Sequence, residues 1–503
     1  MDLNKRNNGI LLHITSLPSN YGIGDLGSNA YKFVDFLSKS NVGYWQILPI
    51  GPTGYGNSPY SLRSTFAGNE NLISIDSLIT DGYLNTEDTE IFNSVKNGFI
   101  DFNFIDKVKR PLLFKAADNF LLLNKEEENY TNFLKTNSFF LNDYAIFMAL
   151  VDYYYDARWY SIWDKGLSKR DKIALKEVEK KLYKEINRYK VLQYLFFKQW
   201  FNLKTYANKN KVKIIGDLPI FVSGDSVDTW SNIELFETDY NNNFNKVSGC
   251  PPDDFTADGQ LWGNPIYDWS AHKKDNYQWW VKRIEHKLNL FDVIRIDHFR
   301  GLESYWEIPS NHKSAKYGKW VKGPGQELFD AIKNKLGKLP IIAEDLGYMT
   351  EEVELLRNNN NFPGMKIGIF GYSWDKDDNF EYENNDFYKN YEENFIAYPG
   401  THDNQTILGW YKSLEKNHKK DLLKLFNYSQ ENIVWKMIET LYKSKATIVI
   451  TQLQDLLELD DKARMNIPST CGLYNWSWQL QSLKQLDDII DKLKSLNNKY
   501  NRI

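Results

Sequence analysis

Three short apolar runs in this chain each stop at an acid. In Phe291 to Gly301 (FDVIRIDHFRG), Val293, Ile294 and Ile296 have the pattern of a buried strand, and strand alternation puts Arg295 and Asp297 on one face. A guanidinium beside a carboxylate holds it ionised, which suits a nucleophile and a plain structural ion pair equally well. The run Pro340 to Gly347 (PIIAEDLG) stops at Glu344, and Phe395 to Asn404 (FIAYPGTHDN) stops at His402, Asp403 and Asn404. One such acid is ordinarily a helix N-cap. Three in series, each followed by Gly or a polar turn, match the catalytic rim of a barrel.

That set holds no Cys, no triad Ser and no paired-His metal site. Lone carboxylates among aromatic loops point to glycosyl chemistry, in which one carboxylate attacks the anomeric carbon and another protonates the leaving oxygen. Asp297, beside Arg295, is expected to have a depressed pKa and to be the nucleophile. Glu344, ending an apolar strand, is expected to have the raised pKa of a general acid. Asp403, beside His402, is placed to bind ring hydroxyls and help distort the sugar. The chain also carries 16 Trp, 32 Tyr and 29 Phe. Core packing explains many of them, but Trp and Tyr also stack on the apolar faces of sugars.

The elements that must position these groups alternate along the chain. Strand patterns occur at 9–14, 44–49, 212–220, 292–297, 340–344, 365–370, 395–401 and 446–451. Helical patterns lie between most of them, among them 30–38, 191–208, 276–288, 324–336, 350–358, 419–426 and 429–441. Eight strands separated by helices close most simply as a parallel (β/α)8 TIM barrel within one catalytic domain spanning 1–503. Asp217 ends the third strand. Residues 76–195 read as an inserted helical subdomain, with helical patterns at 144–159 and 172–189 and charge runs that are solvated faces. Residues 223–275 read as a long loop or insertion over the active site, too aromatic to be disordered.

A net charge of -4 with no basic stripe argues against a nucleic-acid partner, and no stretch approaches a membrane span. Two cysteines, Cys250 and Cys471, make no disulfide framework or metal spacing, and the N-terminus lacks an apolar leader pattern, so a cytoplasmic protein is expected.

The fragments LLHITSLPS, GYGNSPY with FAGN, GDLPIFV, PPDDF with GQLWGNPIYDW, VIRIDHFRG, IIAEDLG, FPGMKI, YPGTHDNQT and RMNIPST occur in this order over nearly the whole chain. Together they resemble the 4-α-glucanotransferases, also called amylomaltases or disproportionating enzymes, relatives of the α-amylases. The resemblance implies a TIM barrel without a C-terminal β-sandwich and retaining transfer between α-1,4-glucans or maltooligosaccharides, with neither cofactor nor metal. It implies Asp297 as nucleophile, Glu344 as acid/base and Asp403 as transition-state stabiliser. Ser58, Tyr60, Asp217, Arg295, His298 and His402 are then substrate-binding, and Trp262 belongs to an acceptor platform with Phe255 nearby. The sequence departs from the family pattern at Ser61, Asp254 and Ser469. A hydrolase on the same substrate differs only in whether water reaches the glycosyl-enzyme first. A non-catalytic glucan-binding barrel would tolerate loss of an acid, and all three acids are present.

Overall fold

The computed structural model describes residue 3 and residues 5–124, 126–252, 257–426 and 432–503. Asp254 and Phe255 lie outside the described residues. In chain order the strands are β1 (Asn7–Leu11), β2 (Tyr44–Gln46), β3 (Lys213–Pro219), β4 (Lys246–Cys250), β5 (Gln260–Pro265), β6 (Val293–Asp297), β7 (Ser304–Pro309), β8 (Lys319–Lys322), β9 (Ile341–Ala343), β10 (Gly364–Ile367), β11 (Phe395–Tyr398) and β12 (Ile448–Gln452). Eight of them form one parallel sheet in the order β10-β11-β12-β1-β2-β3-β6-β9. This is the (β/α)8 barrel, and its strands are aliphatic runs because both their faces are covered.

The ladder joins seven neighbouring pairs and leaves one seam, between β9 and β10. There Ala343 N–H donates to Pro363 O (2.9 Å). The buried Asp345 carboxylate accepts Met365 N–H on Oδ1 (2.7 Å) and Arg357 Nη1 on Oδ2 (2.6 Å). A Cβ on Gly364 would stand 2.1 Å from Arg357 Nη1 and 2.3 Å from Asp345 Oδ2, so only glycine admits this staple.

Strand edges differ from the sequence reading by a few residues. The run at 365–370 leaves the strand after Ile367 and turns through a 3-10 helix at Gly368–Gly371. The pattern at 172–189 is broken at Leu182 into Lys172–Lys181 and Tyr183–Lys209, and the second helix absorbs 191–208. The larger difference lies in 223–275. In place of a loop, it contributes β4 and β5 to a four-stranded antiparallel sheet in the order β5-β4-β7-β8. These strands are short and mix Gly, Ser and charged residues, so their alternation is faint. β7 and β8 sit between the barrel strands β6 and β9, in a stretch for which no strand pattern is read from the sequence.

Among the described residues no helix is long and apolar enough to cross a membrane.

Candidate active site

Parallel register decides which side chains meet. Asp217 on β3 pairs with Arg295 on β6, and Ile296 on β6 pairs with Ala343 on β9. Asp297 and Glu344 are the next residues of two adjacent strands, so they leave the barrel at the same level, with strands about 4.8 Å apart. Glu344 N–H still donates to Ile296 O (3.0 Å), which continues the ladder to the acid itself.

The buried Arg295 Nη1 donates to both oxygens of Asp217 (2.8 and 2.7 Å) and lies 2.9 Å from Asp297 Oδ1. One guanidinium therefore serves two carboxylates. Asp217 Oδ2 also accepts Tyr60 O–H (2.7 Å). The Tyr60 ring stacks on His402 (centroids 5.2 Å, 12°), and Trp476 packs obliquely against both. Ser58 touches none of the acids in these contacts; its Oγ accepts the N–H of Tyr60 (3.2 Å) and shapes the turn that presents that ring. Farther along the same loop, Arg283 donates to Thr65 Oγ1 (2.8 Å), Ile220 O (2.9 Å) and Pro219 O (2.6 Å), tying it to the end of β3.

Glu344 is held differently. Its Oε2 accepts the N–H of His298 (2.6 Å) and its Oε1 that of Leu346 (3.1 Å). His298 reaches this bond from the left-handed region (φ 53°), a conformation a non-glycine residue adopts at a cost. Trp262, on β5, meets the His298 ring edge to face at 4.7 Å and is 37% exposed. Asp403 follows β11 and is more open than Asp297, its side chain 44% exposed against 29%. Asn466 Nδ2 donates to its Oδ1 (2.7 Å), Arg464 to its carbonyl (2.6 Å), and His402 Nε2 lies 3.4 Å from Oδ2.

The expected depression of the Asp297 pKa is not what this geometry produces. Burial pushes the Asp297 carboxyl well up; Arg295 opposes the shift, and Asp217, Glu344 and Asp403 add to it. Burial also raises Glu344, against Arg295 and the two backbone N–H groups. Both carboxyls move the same way, because burial outweighs the one guanidinium they share. The two are distinguished by their partners, a guanidinium for Asp297 and backbone amides for Glu344. Desolvation pushes down both the buried His402 and the half-buried His298, the latter to about 3, so both are neutral donors or acceptors near neutral pH.

Asn466, Arg464 and Trp476 were not named by the sequence as site residues. The fragment RMNIPST contains the first two, but only the fold shows that it lies against Asp403. Trp476 carries no local signal of its role.

A model of the family described as 4-alpha-glucanotransferase matches residues 12–485. The chain belongs to that family. It is 43% identical over 504 residues to the 4-alpha-glucanotransferase of Streptococcus pneumoniae, covering 100% of this chain and 98% of that one. It is also 43% identical over 495 residues to that of Clostridium butyricum, covering 98% and 100%. The solved amylomaltase from Streptococcus agalactiae in complex with acarbose has a TM-score of 0.94 and 41% identity, over 99% of this chain and 100% of that one. An amylomaltase from Corynebacterium glutamicum, 18% identical with a TM-score of 0.75 over 99% of this chain and 76% of that one, shares the fold.

Proposed function

We propose that this 4-α-glucanotransferase moves a segment of an α-1,4-glucan to another glucan or to glucose by double displacement, with the glycosyl-enzyme on Asp297 and Glu344 as acid/base. The observation that supports the division of roles is the pairing of Ile296 with Ala343, which brings two differently held carboxylates to one level on neighbouring strands. Arg295 fixes Asp297 through Oδ1, so Oδ2 is the oxygen for the anomeric carbon. Glu344, its carboxyl raised by burial, gives its proton to the glycosidic oxygen as that bond breaks. The carboxylate so formed, steadied by the His298 and Leu346 N–H groups, accepts a proton from the acceptor hydroxyl that attacks the glycosyl-enzyme. Asp403, open to the pocket, takes sugar hydroxyls and strengthens that grip as charge develops on the ring. Asp217, Arg295, Tyr60, His402 and His298 bind and orient the donor, Ser58 acts through Tyr60, and Trp262 offers its exposed face to the acceptor. Maltooligosaccharides are the substrates in this reading, and the acarbose bound by the Streptococcus agalactiae relative is consistent with such a pocket. The scarcity of cysteine supports a cytoplasmic setting.

Maltotriose tests the proposal. Transfer yields glucose and longer maltodextrins at a constant number of reducing ends. Reducing ends that rise in step with substrate loss, with no product longer than the trisaccharide, would establish hydrolysis instead.

A further inference from the structure

Trp320 and Tyr348 are two outward-facing rings that the pocket above leaves without a task. Trp320 comes from β8, at one edge of the small sheet, and Tyr348 from the turn four residues beyond Glu344. The rings are nearly parallel (22°) with centroids 6.3 Å apart. They are also held before any ligand arrives. The buried Arg300 donates to the Tyr348 carbonyl and to Ser304 Oγ (3.0 Å), and its guanidinium carbon lies 3.8 Å from the Trp320 ring centroid. Trp306 supports Trp320 edge-on at 5.2 Å. Even so, Tyr348 is 68% exposed and Trp320 36%. Adjoining exposed rings form a contiguous apolar patch of the kind that marks binding surfaces, and prior ordering lowers the entropic cost of using it.

Position selects the occupant. The acid/base protonates the glycosidic oxygen, so the departing chain and then the incoming acceptor lie on the Glu344 side of the cleaved bond. Tyr348 is tethered to Glu344 by four residues, at most about 14 Å of chain, a reach of several sugar units. Arg300 belongs to the same turn, Phe299–Leu302, that follows the His298 amide holding Glu344. The platform is thus continuous with the acid/base and separate from Trp262, which stands on β5 at the opposite edge of the small sheet. We propose that Trp320 and Tyr348 form a remote stacking platform for the leaving and acceptor α-1,4-glucan chain, engaged only by chains several sugars long. This rests on the glucan-transfer reading of the site.

Calorimetric titration of the Glu344→Gln protein with maltoheptaose and with maltotriose tests it without turnover. Adding Tyr348→Ala or Trp320→Ala is expected to weaken maltoheptaose by about five- to ten-fold and to raise the ratio of the two Kd values accordingly, ten-fold being ~1.4 kcal/mol. Tyr348→Phe, which keeps the ring, restores the ratio. An equal loss on both sugars would mean that these residues act through the Glu344 turn, and no loss on either would mean that they bind nothing; each outcome overturns the proposal. A folded wild type that transfers nothing from maltotriose would refute the activity reading, while the titration still decides the platform.

Discussion

Asp217→Asn separates the shared-cation reading of the site from a simple nucleophile–arginine pair. Asp217 touches no reacting atom in the proposed mechanism, yet it receives two hydrogen bonds from Arg295 and one from Tyr60. Asparagine keeps the shape and removes the charge. Arg295 retains Asp297 as an ionic partner at 2.9 Å, so it is not stranded and the fold is expected to survive. Loss of a charge-assisted bond that orients Asp297 and Tyr60 costs about 1.5–3 kcal/mol, and if that is felt in the transition state kcat/KM falls about 10- to 150-fold. The pH profile carries the sharper test. Activity needs Asp297 ionised and disappears as pH falls through the apparent pKa of the Asp297–Glu344 pair. Burial raises Asp297, Arg295 opposes it, and the Asp217 carboxylate adds to the rise, so removing that charge lowers the pKa. The acid limb of kcat/KM should therefore move to lower pH in the variant. A limb that moves up or stays in place in a folded variant would refute the claim that Asp217 and Asp297 compete for one guanidinium.

Asp297→Asn and Glu344→Gln should each lower turnover by several powers of ten in a maltotriose assay, whereas Asp345→Asn should leave kcat far less affected. The cost of Asp345→Asn falls on stability instead: Arg357 loses its buried carboxylate, worth about 3–5 kcal/mol, which urea unfolding would register. The fully buried Asp455 carboxyl is pushed up to about 7, mainly by burial, while Ile407 N–H opposes the shift. An acid raised in the folded state contributes stability below its unfolded value near 4 and loses it as pH rises through 7, so ~4 kcal/mol is at stake. Asp455→Asn should thus lose less Tm than wild type between pH 5 and pH 8. Trp262→Ala should shift products from maltotriose toward reducing ends, because an uncovered acceptor side admits water.

Much of the barrel was legible because buried parallel strands write themselves as aliphatic runs: VIRID, PIIAED and FIAYP each appear within a residue or two of β6, β9 and β11. The acids at their ends were visible for the same reason, since a charge that stops such a run has to sit at the rim. The small antiparallel sheet was not legible. Strands such as KVSGC and KWVK are four or five residues long, and KVSGC pairs with β7, where Lys246 faces the distant Pro309. Local sequence shows Arg295 at i−2 but not the burial that drives the Asp297 carboxyl up, so the direction of its shift is not legible there. Asp217, its competitor for that guanidinium, is 80 positions away and arrives through register. Asn466 and Trp476 close the site by tertiary packing alone, which no spacing rule encodes.

The seam between β9 and β10 gives the two central carboxylates unequal mechanical backing. Asp297 ends a strand hydrogen-bonded on both sides, by β3 over five residues and by β9 over three. Glu344 ends a strand laddered on one side, whose other flank rests on a single backbone bond and on the Asp345 carboxylate. Displacing Asp297 means shearing a sheet; displacing Glu344 means reorienting one side chain beneath it. Compliance is thus concentrated under the group that must serve two oxygens in turn, first that of the departing chain and then that of the arriving one. Stiffness is concentrated under the group that must hold one carbon still between them.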